Sequence, residues 1–363
     1  MFLTKSFFLF LILIKYSLSD FHLNETESTI NKHIYKKFEE FKLKFNKNYT
    51  TIEENTDKYQ IFKENYLNML HYRDTNTNSS ILGVTEFMDI PSSHFFGSFF
   101  RNPVLKSPLE TESMPWDESN PQILNYQNEE GDDLYFESNS TLDNSSLRRL
   151  ITIPSSYDWR SKGVVTSVKN QGYCGGCWAF SALVSVEGAY ARKYKKLYSF
   201  SPQQIIDCNA YKYGCSGGTI AAALTYLKSN KAQSFSSYPF VQYKQTCKAN
   251  ANLGIAKVSS FYYSATSNED SIAAMLYNAG PLAININATP LQFYKGGIFN
   301  PLSCSSSVNH GVAIVGYGTA NGVPYWIVKN SWGENWGESG YFRIYRGKKL
   351  CGMTSTVIAA KVE

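Results

Sequence analysis

The sequence predicts an α+β fold of two lobes with a cleft between them, preceded by a helical leader. All seven cysteines lie after residue 150 of the 363. From residue 153 onward, helical periodicity gives way after about residue 255 to short apolar segments separated by Gly, Asn and Pro. Charge divides the chain at the same place, because residues 1–153 carry 15 Lys+Arg and 22 Asp+Glu whereas residues 154–363 carry 20 and 8. An acidic leader is therefore expected before a basic domain in which a helical half precedes a strand half.

The first 19 residues have the layout of a secretory signal peptide. Lys5 precedes an apolar run over residues 7–14, and small residues at 17–19 predict cleavage after Ser19. Eight apolar residues are too few to cross a bilayer, which needs about 20, so no membrane anchor is expected. The layout predicts entry into the secretory pathway and a lysosomal, vacuolar or extracellular destination. Six sequons would then be open to glycosylation: Asn24, Asn48, Asn78, Asn139, Asn144 and Asn287.

Residues 20–106 are predicted to form a helical domain. Apolar side chains recur at helical spacing over residues 31–74 in two runs, which contain Ile34, Tyr35, Phe38, Phe41 and Phe45, and then Tyr59, Phe62, Tyr66, Met69 and Leu70. Residues 107–152 are expected to form an acidic linker, because residues 107–147 contain ten acidic residues and no basic one. The pair Arg148-Arg149 near its end is an expected proteolytic site.

The C-terminal domain is expected over residues 153–363, with a helical lobe at about 162–260 and a β lobe at about 261–363. A buried helix is predicted to start near Cys177, since small and apolar residues recur there at helical spacing and basic residues end the run. Ser201 and Pro202 have the N-cap and first-turn chemistry of a second helix. Four apolar segments indicate strands: PLAININA, GVAIVGYG, PYWIVKNSW and GYFRIYRG.

The stretch QGYCGGCWAF separates Cys174 and Cys177 by two residues. Such a pair can be a redox dithiol, half of a zinc site, or one structural cysteine beside one reactive one. No βαβ alternation surrounds Cys174, which disfavours the redox interpretation. The other five cysteines stand singly at wide spacing, which disfavours zinc. In an oxidising compartment six of the seven would pair and one would stay free.

A catalytic thiol needs a base, which is usually histidine. The cysteine-bearing domain contains a single histidine, His310, because the other four lie in the leader: His22, His33, His71 and His94. His310 heads an apolar strand, and Asn330, in WIVKNSWG, could orient its imidazole. If the domain is an enzyme with a catalytic thiol, His310 is therefore the base.

Four sequence blocks resemble the papain-like cysteine peptidases, close to the cathepsin L type. They run from about residue 154 to the C-terminal part in this order: IPSSYDWRSKGVVTSVKNQGYCGGCWAFS, CSGG, NHGVAIVGYG and KNSWGENWGESGYFRI. The resemblance implies the papain-like two-lobe fold and a secreted or lysosomal cysteine endopeptidase made as a zymogen. Gly176 departs from the family, in which Ser or Ala is commoner before the nucleophile. The departure is expected to be tolerated, because that position contributes mainly backbone.

The resemblance also implies the role of each catalytic residue. Cys177 is the nucleophile at a helix N-terminus, His310 exchanges the proton, and Asn330 fixes the imidazole tautomer. Gln171 donates to the oxyanion, and Trp332 shields the bond between His310 and Asn330. The family's disulfides imply the pairs Cys174–Cys215, Cys208–Cys247 and Cys304–Cys351, which leave Cys177 free.

Substrate-binding residues are implied by position in the same motifs. Gly217 and Gly218 would bind the substrate backbone. The pocket for the residue two before the scissile bond would be lined by Thr219, Ile220, Asn285, Val308, Gly311 and Thr356. The family usually prefers bulky apolar or aromatic groups there, and Asn285 and Thr356 add polarity. The single histidine of the domain and the tight motif spacing favour an endopeptidase over the exopeptidase relatives.

The leader resembles the family's inhibitory propeptide, with motif residues Glu54, Lys58, Phe62, Asn65, Gly83, Phe87 and Asp89. It is therefore expected to inhibit the domain within the same chain. The other implied partners are protein and peptide substrates and cystatin-like inhibitors. No cofactor, metal, membrane or nucleic-acid partner is implied, and a monomer is expected. The alternatives are a catalytically inactive homologue that acts as a binding protein, and a C-x-x-C redox protein.

Overall fold

The computed structural model describes residues 27–75, 80–92, 126–127, 133–134, 153–210, 214–264 and 268–363. The predicted signal peptide, the Arg148-Arg149 pair and most of the acidic linker lie outside the described residues. The chain divides into two compact units. The first comprises Met1–Leu70 and Glu86–Pro91, and the second comprises His71–Thr85 and Ser92–Glu363.

The first unit is built on two helices, α1 (Glu27–Lys44) and the larger part of α2 (Ile52–Asp74). Their aromatic side chains pack against each other, because the Phe62 ring lies 5.4 Å from the Phe38 ring and 5.1 Å from the Phe41 ring. All three side chains are at most 1% exposed. The two helices predicted from the periodicity of residues 31–74 are therefore confirmed.

Polar contacts hold residues 86–91 against α2 within the first unit. Asn65 Nδ2 donates to two carbonyl oxygens of this segment at 2.9 Å each, and Lys58 Nζ donates to the Asp89 carbonyl at 3.2 Å. The Asp89 carboxylate accepts from Lys47 Nζ at 3.1 Å. At the start of α2, the Glu54 carboxylate accepts from the backbone N–H of residue 50 at 2.8 Å. Three of the leader motif residues thus organise this unit, and Glu54 caps its second helix.

The helical half of the second unit contains α3 (Cys177–Tyr194), α4 (Pro202–Cys208) and α5 (Ile220–Ser229). The helix predicted near Cys177 is confirmed, and it ends with Arg192 and Lys193 in its last turn. The Ser201 side chain accepts from the N–H of residue 204, so the predicted cap of α4 is also confirmed. Among the described residues, no helix is long and apolar enough to span a membrane.

The strand half is a nine-stranded sheet. Its strands in chain order are β1 (Ser80–Leu82), β4 (Tyr157–Asp158), β7 (Val258–Ser264), β8 (Leu282–Ile286), β9 (Tyr294–Phe299), β10 (His310–Ala320), β11 (Val323–Lys329), β12 (Tyr341–Tyr345) and β13 (Val357–Val362). Two short pairs lie outside it: β2 (Tyr126–Gln127) with β3 (Asp133–Leu134), and β5 (Ala232–Gln233) with β6 (Gly254–Ala256). The spatial order is β1-β9-β12-β11-β10-β8-β13-β7, and β4 pairs with β10. The four strands predicted from apolar segments are β8, β10, β11 and β12.

A sixth helix, α6 (Glu269–Ala279), interrupts the strand-rich half and was not predicted. Its local signals are clear in the structure. The Asn268 side chain accepts from the N–H groups of residues 270 and 271, and Glu269 and Asp270 occupy the first turn. The helix was not predicted because the segments on either side of it have strand-like sequences, and the whole region was therefore interpreted as strands.

The core of the second unit joins α3 to the sheet. Trp178 and Val186 of α3 are buried together with Ala283 of β8 and Ile358 of β13. Because the buried face of α3 lies on these central strands, the first residue of the helix comes to lie beside the start of β10. This packing brings together two segments that are far apart in the sequence, the helix that starts at Cys177 and the strand that starts at His310.

Candidate active site

Cys177 is the first residue of α3 and follows the N-cap residue Gly176. The structure contains the disulfides Cys174–Cys215, Cys208–Cys247 and Cys304–Cys351, and Cys177 is the one free cysteine. These are the pairs that the sequence resemblance implies. The first turn of a helix has N–H groups without intrahelical partners and a positive partial charge, both of which stabilise a thiolate.

His310 begins β10, and Asn330 directly follows β11. The His310 Nε2 atom lies 2.8 Å from Asn330 Oδ1, which accepts its hydrogen bond. Both residues are buried, at 1% and 4% exposure. The Trp332 ring covers the imidazole with a centroid separation of 4.9 Å and an interplanar angle of 33°. The imidazole is thus held in one orientation, away from water.

The imidazole and the thiol belong to neighbouring residues in space. A Cβ atom placed on Gly311 would lie 3.1 Å from the carbonyl oxygen of Cys177, and the Cys177 sulfur accepts from the Gly311 N–H. A side chain at position 311 would require the start of α3 and the start of β10 to move apart by a few tenths of an ångström. Because Nε2 is engaged by Asn330, the second ring nitrogen of His310 is the one available to the thiol, and it has no hydrogen-bond partner among the described residues.

Gln171 is fixed by contacts with both sides of the site. Its backbone N–H donates to the Ser331 carbonyl at 2.8 Å, and the Ser331 hydroxyl donates to Gln171 Oε1 at 2.6 Å. Its Nε2 donates to the Cys174 carbonyl at 3.0 Å. Because Oε1 is engaged by Ser331, the amide NH₂ group is turned toward the turn that leads to Cys177. Its second hydrogen can be donated to an oxyanion that forms on a carbonyl oxygen when the sulfur attacks the carbonyl carbon.

Ser331 was not predicted to have a role, although it lies in the motif KNSWG directly after Asn330. Its hydroxyl decides which end of the Gln171 amide faces the thiol. The position next to Asn330 was the available signal. The contact itself joins residues 160 positions apart in the chain, which no local pattern reveals.

Burial acts on the thiol and the imidazole in the direction that disfavours charge. It raises the pKa of Cys177 to about 11, and it lowers the pKa of His310 to about 4. The Gly311 N–H opposes the first shift and the Asn330 side chain opposes the second. Either charge alone is therefore unfavourable at neutral pH. Transfer of the thiol proton to the imidazole forms two opposite charges that stabilise each other.

The residues implied in substrate binding lie on both halves of the second unit. Gly218 packs against Trp178, since a Cβ atom there would lie 2.4 Å from the Trp178 ring. Gly217 has a φ of 115°, a conformation that favours glycine. The Thr219 side chain caps α5, and Ile220 is fully buried in the core of the helical half. On the sheet, Asn285 is paired with Gly311, and Val308 and Thr356 are half-buried. Gly311 thus lies beside Cys177, and Asn285 lies opposite Gly311 on the neighbouring strand.

The structure changes the expectation for one of the six sequons. Asn287 is 8% exposed, and its Nδ2 donates to the carbonyl of residue 307 at 2.7 Å. A glycan cannot be attached to this nitrogen in the folded protein. Asn48 is exposed. The other four sequons lie outside the described residues. Within the described part of the chain, no group of His, Cys, Asp and Glu is arranged to hold a metal ion.

Comparisons with known proteins connect this geometry with two families. Residues 153–361 match the family described as papain family cysteine protease, and residues 38–95 match the cathepsin propeptide inhibitor domain. "Probable cysteine protease RD19B" of Arabidopsis thaliana is 37% identical over 335 residues, which cover 87% of this chain and 84% of that protein.

Two solved structures of precursors are similar over nearly the whole chain. The digestive procathepsin L2 proteinase from Tenebrio molitor larval midgut is 30% identical with a TM-score of 0.72, covering 90% of this chain and 99% of its own. The recombinant stem bromelain precursor is 33% identical with a TM-score of 0.70, covering 91% and 99%.

Proposed function

Because the chain belongs to the papain family of cysteine proteases and carries a cathepsin propeptide inhibitor domain, we propose that it is a zymogen in which Cys177 and His310 hydrolyse internal peptide bonds. That it is a cysteine-type peptidase follows from the family. The observation that carries the assignment of residues is the 2.8 Å contact between His310 Nε2 and Asn330 Oδ1, beside the one unpaired cysteine.

Acylation begins with the Cys177 sulfur as thiolate and His310 as imidazolium. The sulfur attacks the carbonyl carbon of the scissile bond, a C–S bond forms, and the carbonyl electrons move to oxygen. The oxyanion accepts from Gln171 Nε2 and from the Cys177 N–H. When the C–N bond breaks, His310 gives its proton to the departing amine. Water, deprotonated by His310, then cleaves the thioester and restores the thiol pair.

Residues 71–85 of the leader contact the sheet within the second unit, which supports inhibition by the chain's own propeptide. Strand β1 pairs with β9, and the Gly83 N–H donates to the Phe293 carbonyl at 2.9 Å. The Thr85 hydroxyl donates to the Gln292 carbonyl at 2.7 Å. The Tyr72 ring lies 6.0 Å from that of Phe293. The leader is thereby attached to the same sheet that carries His310.

The substrates of the mature enzyme are proteins and peptides. The single histidine of residues 153–363 supports endopeptidase activity, since no second histidine is present in that part to bind a substrate terminus. The polar side chains of Asn285 and Thr356 extend the acceptable residues beyond strictly apolar ones. The predicted signal peptide supports a secretory route with a lysosomal, vacuolar or extracellular destination, and cystatin-like proteins are the expected inhibitors.

Active-site labelling tests the proposal directly. The purified full chain is acidified until the leader is lost, and it is then treated with an epoxide or vinyl sulfone inhibitor. We expect one covalent label per chain, on Cys177, and cleavage of a denatured protein at internal bonds. A peptide library then defines the preferred residues. A processed, folded chain that takes no label and cleaves nothing would instead be an inactive homologue that acts by binding.

A further inference from the structure

A chain of three buried polar residues connects α3 to the segment that carries the site. We propose that this chain, Glu187–Thr166–Lys329, is a positioning device that fixes Asn330 and Ser331 for catalysis. The inference rests on the proposed peptidase activity and adds residues that do not touch the substrate. We call these three residues the anchor.

The anchor is continuous and buried. The Thr166 hydroxyl donates to Glu187 Oε2 at 2.7 Å, and Glu187 Oε1 accepts from the Phe200 N–H at 2.9 Å. Lys329 Nζ donates to the Thr166 carbonyl at 2.7 Å and to its hydroxyl oxygen at 3.0 Å. The three residues are 8%, 5% and 4% exposed in the order Thr166, Glu187 and Lys329. The Thr166 hydroxyl thus bridges the two charged groups, because it donates to the Glu187 carboxylate and accepts from the Lys329 ammonium group.

The anchor ends where the catalytic contacts begin. Lys329 is the last residue of β11, and the next two residues each orient one part of the site. Asn330 Oδ1 lies 2.8 Å from His310, and the Ser331 hydroxyl lies 2.6 Å from Gln171 Oε1. A shift of the backbone at Lys329 would therefore move the base and the oxyanion donor together.

Packing does not hold this segment on its own. A cavity of about 30 Å³ adjoins the anchor and the site, with Thr166, Ser181, Glu187, Lys329 and Asn330 among its lining residues. Protein interiors are otherwise close-packed, so the side chains around this space have fewer direct packing contacts with other side chains than those of the core. Beside this space, the hydrogen bonds of the anchor add to the pairing of Lys329 with both neighbouring strands and to the 3.0 Å bond from the Asn330 N–H to the Gly340 carbonyl.

The charges of the anchor are costly to bury, which argues against a role in stability alone. Burial raises the pKa of Glu187 and lowers the pKa of Lys329 to about 8, and each of the two charges partly offsets the shift of the other. The nearby Lys169 opposes the shift of Glu187 but increases that of Lys329. Well-packed apolar residues usually stabilise a core at least as well as a buried charged pair. Directional contacts give what apolar packing cannot, namely a defined position for the residue that follows.

The test uses Thr166→Val, which removes the bridging hydroxyl while it preserves volume and both charges. Thr166→Ser restores the hydroxyl. Ser185→Ala is the matched control, since Ser185 lies on the same helix, is 2% exposed, and accepts one buried bond from the Ala360 N–H at 2.9 Å. Each full-length chain is processed by added wild-type enzyme. After removal of that enzyme, kcat, KM, the pH profile of Cys177 alkylation and the Tm are measured.

We expect Thr166→Val to lower kcat by about 10- to 100-fold with KM changed less than about twofold, because small displacements of catalytic groups have effects of this size. Its alkylation profile should lose reactivity at pH 5–6. Thr166→Ser should regain most of kcat, and Ser185→Ala should lower the Tm while it keeps the wild-type kcat and profile. If Thr166→Val does not fold, Thr166→Ala is judged by the same criteria.

A Thr166→Val enzyme with a lower Tm but the wild-type kcat and alkylation profile would overturn the inference. An equal loss of kcat in Ser185→Ala would also overturn it, because the effect would then follow from lost stability. An inactive wild-type enzyme would count against the proposed peptidase function instead, so the two failures are distinguishable.

Discussion

Replacing His310 by alanine should leave Cys177 without its proton acceptor. No other histidine is present in residues 153–363, so no side chain of that type can substitute. Burial then determines the ionisation of the thiol, whose pKa is raised to about 11. At pH 6 about one thiol in 10⁵ would be ionised, and the fraction would rise tenfold with each pH unit.

The assay is alkylation of Cys177 by iodoacetamide between pH 5 and 9, followed by mass spectrometry. In the wild type the paired thiolate should react at a nearly constant rate over this range. In His310→Ala the logarithm of the rate should increase with pH with a slope of one. In more acidic solution the wild-type rate should also fall, because the thiolate of the pair takes up a proton and leaves an unreactive thiol beside the imidazolium.

Asn309→Ala provides the control for local disturbance at the start of β10. Asn309 precedes the base, and its Oδ1 accepts from the Ala288 N–H at 2.9 Å, but it takes no part in the proposed chemistry. This variant should keep the wild-type profile. If His310→Ala reacted at pH 6 within about tenfold of the wild-type rate, another group would be ionising Cys177, and the assignment of His310 would be wrong.

Three further predictions concern the cysteines, activation and glycosylation. Cys177→Ala should abolish peptide hydrolysis with all three disulfides intact by mass spectrometry, whereas Cys174→Ala should lower the unfolding free energy by about 2–5 kcal/mol in a denaturant titration, because it breaks Cys174–Cys215. Loss of the leader, followed on gels, should be faster at pH 4 than at pH 7.5, because protonation of the leader's carboxylates below about pH 4.5 weakens their attraction to the basic domain. At pH 7.5 it should be faster in high salt, because salt screens the same attraction. A processing rate that depends on neither pH nor salt would contradict this charge control. Glycopeptide mapping should find glycan at Asn48 and none at Asn287, whose amide is buried and bonded; a glycan at Asn287 would show that modification precedes folding of this strand end.

The sequence was sufficient for elements whose signals are local. Ser201 and Pro202 predicted the start of α4, and the spacing of apolar residues predicted α3 and four strands of the sheet. His310 followed from being the single histidine of the domain, and Cys177 followed from the resemblance of its motif to the papain-like peptidases, in agreement with the odd number of cysteines. These inferences needed only residue type and short-range order.

The remaining features depend on contacts between distant segments. Lys329 meets Thr166 across 163 positions, and neither residue belongs to a pattern that marks it as functional. Strand β1 has only three residues, and it is defined by its pairing with β9 more than 200 positions later. The burial of Asn287 likewise depends on its bond to residue 307, whereas its sequon is identical in form to the exposed one at Asn48. The Lys329–Thr166 contact, strand β1 and the burial of Asn287 all depend on contacts in the folded chain that no local sequence pattern reveals.

The pairing of β1 with β9 has a consequence for the enzyme after maturation. Since β1 belongs to the leader and lies at the end of the strand order, its removal turns β9 into an edge strand with unpaired backbone groups. Such an edge can join strands of other molecules and lead to aggregation. Strand β9 carries the exposed Lys295 followed by two glycines, a charge and two flexible positions that make it a poor template for such pairing. The mature protein therefore carries in β9 its own protection against self-association at the edge that activation uncovers.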